Sequence, residues 1–169
     1  MKLRTAFALV SFLTMALFSF AQPLSVGADA PVVTGTTETG DALSLGDVYA
    51  RQPYTLVYFY PKADTPGCTA QGCSLRDAYE ELLDKGVAII GVSADKPAAQ
   101  AKFKEKYNLP FTLIADADKQ VIKAFGVPLM FGVAKRSAFL IKDGKIVWAD
   151  HSASTSRQAE DVLKVLAAQ

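Results

Sequence analysis

Cysteine is scarce in this chain: Cys68 and Cys73 are the only two in 169 residues, beside one histidine, His151, and one tryptophan, Trp148. One His with two distant Cys does not make a metal site, so His151 reads as a surface or end-of-strand residue. No Cys-x-x-Cys occurs, which weighs against a dithiol built for disulfide exchange. No basic block is present and the formal net charge is +1, so a nucleic-acid surface is not expected. No apolar run reaches the roughly 20 residues of a membrane span. Neither a twin Arg nor a lipid-carrying Cys follows the N-terminal pattern. Internal repeats and low-complexity tracts are absent as well.

Half of the residues are hydrophobic and 21% are charged, the balance of a folded domain with a substantial core. The length fits one domain. At the N-terminus, Lys2 and Arg4 precede an apolar run from Ala6 to Phe20, broken by Ser11, Thr14 and Ser19. Ser19-Phe20-Ala21 offers small residues at the two positions a signal peptidase reads. Residues 1–21 are therefore expected to be a signal peptide cleaved after Ala21, with 22–169 as the domain. An uncleaved anchor is the alternative. Removing Lys2 and Arg4 turns the net charge from +1 to −1. Export, periplasmic in a Gram-negative host, means an oxidising compartment, where two cysteines can form a structural disulfide.

Gln22 to Ala30 reads as a leader. Pro31–Gly35 and Ala42–Leu45 flank a polar turn and predict a small hairpin. Tyr54–Tyr60 is a continuous apolar run, the pattern of a buried strand. Pro66 to Lys85 has helical periodicity through Leu75, Ala78, Tyr79, Leu82 and Leu83, with Gly86 as its stop. Val87–Ser93 reads as a strand, Pro97–Tyr107 as a helix, Phe111–Ala115 as a strand and Lys119–Phe125 as a short helix. Ser137–Lys142 and Lys145–Asp150 form a hairpin around Asp143-Gly144. Thr155 to Ala168 closes as an amphipathic helix with Val162, Leu163 and Leu166 inward. This order predicts an α/β fold: a mixed sheet, helices on both faces and an N-terminal β-hairpin extension. Trp148, Phe131 and Phe125 are expected in the core or a pocket wall. Arg157 and the Lys102–Lys106 stretch read as solvated helix faces.

The chemistry concentrates at Pro61-Lys62-Ala63-Asp64-Thr65-Pro66-Gly67-Cys68. A strand ends at Pro61, and Thr65 and Pro66 suit the N-cap and N1 positions of the next helix. Gly67 allows close approach to the backbone. Cys68 then meets unpaired N–H groups and the positive helix end, which favour a thiolate. A thiolate attacks electrophiles, the O–O bond of a peroxide among them. The resulting sulfenic acid condenses with a second thiol, and Cys73 is the other thiol in the chain. Residues i and i+5 of an ideal helix have Cα atoms roughly 8.6 Å apart. A disulfide spans no more than about 7 Å without backbone movement. The spacing opposes a resting disulfide and suits a pair that joins after the helix opens. Gly72 costs about 1 kcal/mol of helix stability relative to Ala and eases opening.

The Pro61-x-x-x-Thr65-x-x-Cys68 pattern resembles the active-site motif of peroxiredoxins. The Cys68-x-x-x-x-Cys73 spacing followed by Arg76-Asp77 is similar to the bacterioferritin comigratory protein or Q-type branch. Gly91-Val92-Ser93, Tyr107-Asn108-Leu109-Pro110-Phe111 and Arg136-Ser137-Ala138-Phe139-Leu140-Ile141 extend the likeness from about Ser25 to the last helix.

That resemblance implies a thioredoxin-like fold and a thiol-dependent peroxidase acting on hydrogen peroxide or organic hydroperoxides. It implies Cys68 as the peroxidatic and Cys73 as the resolving cysteine, joined as an intramolecular disulfide in the cycle. Thr65, Gly67 and Arg136 would bind substrate, Arg136 would also stabilise the thiolate, and Pro61 would shield the pocket. No cofactor or metal is implied. A thioredoxin-like donor would restore the thiols, and intramolecular resolution makes a monomer the expectation. Two positions depart from the family: Gln71 where Glu is common, and Ala138 where Thr is frequent. The rival reading is an exported thioredoxin-fold thiol–disulfide oxidoreductase. A binding domain with a structural disulfide is a further alternative.

Overall fold

The computed structural model describes residues 22–168. The expected signal peptide, 1–21, lies outside the described residues. Chain order runs β1 (Thr34–Thr36), β2 (Ala42–Ser44), α1 (Leu45–Arg51), β3 (Tyr54–Phe59), α2 (Pro66–Asp77), α3 (Tyr79–Asp84), β4 (Val87–Ser93) and α4 (Pro97–Tyr107). It continues with β5 (Thr112–Ala115), α5 (Gln120–Ala124), β6 (Leu129–Met130), β7 (Val133–Ala134), β8 (Ser137–Lys142), β9 (Lys145–Asp150) and α6 (Gln158–Ala167).

A five-stranded sheet has the order β5-β4-β3-β8-β9. β3, β4 and β5 are parallel, and β8 joins β3 and β9 antiparallel. β3 sits at the centre, and pleating sends its side chains to alternate faces. Leu56, Tyr58 and Tyr60 join Leu75, Leu82, Phe103 and Val162 in one core, under α2, α3, α4 and α6. Val57 and Phe59 join Leu45, Val121 and Ile122 in the other, under α1 and α5. This is the mixed, two-faced sheet expected of a thioredoxin-like fold. Asp143 and Gly144 both take positive φ, +50° and +72°, as the tight β8–β9 turn requires.

The N-terminal extension covers both edges of that sheet. Residues 27–30 run along β9, with Gly27 N donating to Ile146 O at 2.8 Å and Ile146 N to Ala28 O at 2.9 Å. The β1–β2 hairpin lies at the β5 edge, where Glu38 N donates to Leu113 O and Leu113 N donates to Glu38 Oε2, both at 2.9 Å. These contacts pair part of each edge strand's backbone and blunt it as a template for aggregation.

Several expectations are corrected. The helix expected over 66–85 is two helices, broken at Ala78 (φ −104°, ψ 13°). The break follows Arg76, which reaches sideways to the Tyr107 carbonyl at 2.9 Å. Leu45 opens α1, a helix the periodicity did not show, and Ser44 Oγ accepts from Asp47 N at its start. Phe131 is fully exposed at the turn of the β6–β7 hairpin, not a pocket wall. Lys104 and Lys106 are not merely solvated: Lys104 pairs with Glu38 and Lys106 with Asp64.

Candidate active site

Tyr60 leaves β3 in the core, half-buried Pro61 ends the strand, and the loop to α2 is pinned from two sides. On one side, Asp95 Oδ2 accepts from Ala63 N and from Ser93 Oγ, both at 2.7 Å. Gln100 Nε2 donates to Ser93 Oγ at 2.8 Å, and its Oε1 accepts from the Tyr60 hydroxyl. On the other side, Asp64 accepts from Lys106 Nζ at 2.9 Å and from Tyr107 Oη at 2.7 Å. Those bonds let Asp64 hold a left-handed φ of +58° and keep its carboxyl below the ordinary range.

Thr65 has the extended backbone of an N-cap and Pro66 stands at N1. The Thr65 hydroxyl does not cap the helix; it donates to Lys62 O at 3.0 Å. The first-turn N–H groups around Gly67 and Cys68 therefore gain no side-chain acceptor from the cap. The Thr65 oxygen keeps its lone pairs beside the same turn.

Cys68 is 1% exposed, and Arg136 Nη2 donates to its sulfur at 3.4 Å. Arg136 immediately precedes β8, next to the hairpin base closed by Lys135 N to Pro128 O at 2.8 Å. Its Nη1 donates to Gln71 Oε1. Gln71 Nε2 passes the contact on to Gln158 Oε1 at 2.8 Å. Both glutamines are fully buried where the first turn of α6 meets α2. Gly67 keeps this packing close: a Cβ there would lie 3.2 Å from Arg136 Nη2 and 3.3 Å from Thr155 Cγ2, so those side chains would have to yield slightly. Ala138, the other departure, is buried beside β3, facing Tyr58 across the strands.

Cys73 is half-buried on the same helix, and both cysteines are free thiols. Arg76 lies beside Cys73, and Asp77 first, then Cys73, holds that guanidinium above its ordinary range. Arg76 follows Cys73 by three residues, one helical turn, a spacing legible in the sequence. Gln158 and Asp95 are further residues that sequence reasoning missed. Both reach the site through folding alone, from 87 and 32 residues away along the chain.

A thioredoxin-like sheet whose central strand delivers a buried, arginine-bonded thiol into the first turn of a helix defines a thiol-based redox enzyme. Residues 26–149 match the model of the AhpC/TSA family. Peroxiredoxin Bcp of Escherichia coli K12 is 40% identical over 152 residues, covering 85% of this chain and 96% of that protein. Peroxidoxin BcpB of Mycobacterium tuberculosis has a similar structure, with TM-score 0.80, 29% identity, and 87% and 97% of the two chains covered. The bacterioferritin comigratory protein of Xanthomonas campestris, whose alkyl peroxide reduction was studied in trapped intermediate and ligand complexes, gives TM-score 0.76 at 28% identity, with 85% and 98% covered. The chain belongs to the AhpC/TSA family, among the peroxiredoxins of the Bcp and Q kind, which are thiol-dependent peroxidases.

Proposed function

We propose that this enzyme reduces hydrogen peroxide and organic hydroperoxides with Cys68 as the attacking thiol and Cys73 as its resolving partner. The observation that carries the reading is the 3.4 Å contact from Arg136 Nη2 to the Cys68 sulfur in the first turn of α2. A guanidinium there donates to the attacking sulfur and is placed to polarise an incoming O–O bond.

The Cys68 thiolate attacks the terminal peroxide oxygen, an S–O bond forms and the O–O bond breaks. The leaving alkoxide or hydroxide takes a proton, giving alcohol or water and a Cys68 sulfenic acid. Thr65 and the first-turn backbone of Gly67 and Cys68 hold the substrate oxygens, Arg136 steadies the developing charge, and Pro61 limits water. Cys73 then attacks the sulfenic sulfur and water leaves, which joins the two sulfurs. Both residues belong to one continuous helix, so α2 must open between them for this step. A thioredoxin-like dithiol reduces the disulfide by exchange. Because both thiols come from one chain, a monomer suffices. The Lys2/Arg4 start and the Ala6–Phe20 run support export to the periplasm, with release after Ala21.

The test compares the Cys68→Ser and Cys73→Ser variants in a peroxide-driven assay coupled to thioredoxin. Loss of peroxide consumption in Cys68→Ser, and loss of the internal disulfide alone in Cys73→Ser, are the expected results. A Cys73 thiol still free in peroxide-treated wild type, with Cys68 oxidised, would remove Cys73 from its role.

A further inference from the structure

Tyr58 carries a fully buried hydroxyl with no hydrogen-bond partner among the described residues. The side chain leaves β3 toward the layer of α2. Its ring stacks on Tyr60 with centroids 5.5 Å apart and meets Phe111 edge-on at 6.0 Å. Room for the phenol exists because Gly91 of β4 lies beside it: a Cβ there would stand 2.8 Å from both Cζ and the hydroxyl oxygen. The side chain shares one core cluster with Cys68 and Leu75 of α2. Burial above all, then Tyr60 and the two thiols, pushes the phenol well above its ordinary range, so the group stays a neutral hydroxyl.

Tyr60 shows the contrast. It lies on the same face of the strand, two residues on, and its hydroxyl donates to Gln100 Oε1. Phenylalanine at 58 would fill the same place without an orphaned donor. Among the described residues the Cys68 sulfur is bonded by Arg136, and no hydrogen bond joins it to the Tyr58 hydroxyl. Opening of α2 between Cys68 and Cys73 would bring water to the layer beneath that helix. The hydroxyl then gains the partner that the closed helix denies it.

We propose that Tyr58 is a positioning residue for the resolving step, its unpartnered hydroxyl biasing α2 toward the open state in which Cys73 reaches Cys68. The inference rests on the reading of Cys73 as the partner thiol. In that step the Cys73 sulfur attacks the Cys68 sulfenic sulfur, the S–S bond forms and the S–O bond breaks. The departing hydroxide leaves with the Cys73 thiol proton as water, and no outside oxidant enters. A single buried, unpartnered hydroxyl weighs about tenfold against the state that buries it.

The test is Tyr58→Phe in the full folded domain, pre-reduced and given one equivalent of hydrogen peroxide. Peroxide loss and loss of the second thiol are followed separately, and backbone hydrogen exchange of α2 is measured on the reduced protein. Peroxide loss should stay within about twofold of wild type, while second-thiol loss and α2 exchange both slow about tenfold. Excess peroxide should leave more over-oxidised Cys68 in the variant. Unchanged closure with unchanged exchange overturns the proposal. So does a parallel fall in both chemical rates, the mark of a merely structural role. Cys73→Ser, measured alongside, separates the two claims. If wild type also loses only one thiol per peroxide, the Cys73 reading fails and takes the proposal with it. If wild type loses two and Tyr58→Phe closes as fast, the proposal alone fails.

Discussion

Gln71 and Gln158 meet where α2 crosses the start of α6, Gln71 Nε2 donating to Gln158 Oε1 at 2.8 Å with both side chains fully buried. Through Gln71 Oε1 the pair also holds Arg136, whose other nitrogen reaches the Cys68 sulfur. Neither glutamine adds a charge, so the positive guanidinium faces the sulfur without a competing carboxylate on Gln71. Gln158→Leu removes the acceptor for Gln71 Nε2, and it also removes Gln158 Nε2, itself buried without a partner among the described residues, so one orphaned donor replaces another. The peroxide rate should fall as Gln71 and Arg136 lose their fixed placement, while stability stays within about 1 kcal/mol. Stopped-flow peroxide consumption and denaturant unfolding measure the two effects.

Gln71→Glu tests the charge argument directly. A carboxylate on Arg136 competes with the Cys68 sulfur for the same cation. The variant should alkylate at Cys68 more slowly at neutral pH than wild type, in competition with iodoacetamide, while the arginine stays in place. Equal alkylation rates would show that the neutral amide is incidental.

Gly67→Ala should act on Arg136 rather than on the helix. The added Cβ lands 3.2 Å from Nη2, so the guanidinium must give way. Alanine improves intrinsic helix propensity, which makes a fall in peroxide rate without loss of thermal stability the signature of displaced arginine. Peroxide kinetics beside a thermal melt decide it.

Gly72→Ala has room: its Cβ would lie 3.5 Å from the Leu109 methyls, an ordinary contact. The reduced protein should gain about 1 kcal/mol, and disulfide closure should slow about fivefold with the first peroxide turnover unchanged. Thiol counting after a single peroxide addition, paired with thermal unfolding, checks both halves.

Asp64 sets an acid limit on the loop before α2. Lys106 first, then Tyr107, depresses its carboxyl below the ordinary value of 3.8. A depressed carboxylate contributes stability above its unfolded value, and that contribution is lost as pH falls through the folded value. Asp64→Asn should therefore be less stable than wild type at neutral pH, and the gap should close below about pH 4. Unfolding midpoints measured across that range give the comparison.

The sequence made the chemistry legible because Cys68 depends on local order. A strand ending at Pro61, a Thr-Pro-Gly entry and a helix start are all encoded within a few residues. The Asp143-Gly144 turn and the strands around it were legible for the same reason. What stayed hidden came from distance along the chain. Gln158 looks like any polar residue opening a helix until folding buries it against Gln71. Lys104 reads as solvated because nothing local reveals Glu38, 66 residues away. Phe131 reads as core from its apolar neighbours, yet a two-residue hairpin carries it into solvent at φ +52°. Periodicity also passed smoothly over Ala78, since Leu75 and Leu82 keep one inward face on either side of the break.

The most direct test of the account is a single-turnover reaction of pre-reduced protein with hydrogen peroxide, counting free thiols before and after. Rapid loss of one peroxide and two thiols per chain, abolished in Cys68→Ser, is the predicted result. Thiol loss no faster than that of an ordinary cysteine would contradict it, because the Arg136 contact and the helix start would then fail to activate Cys68.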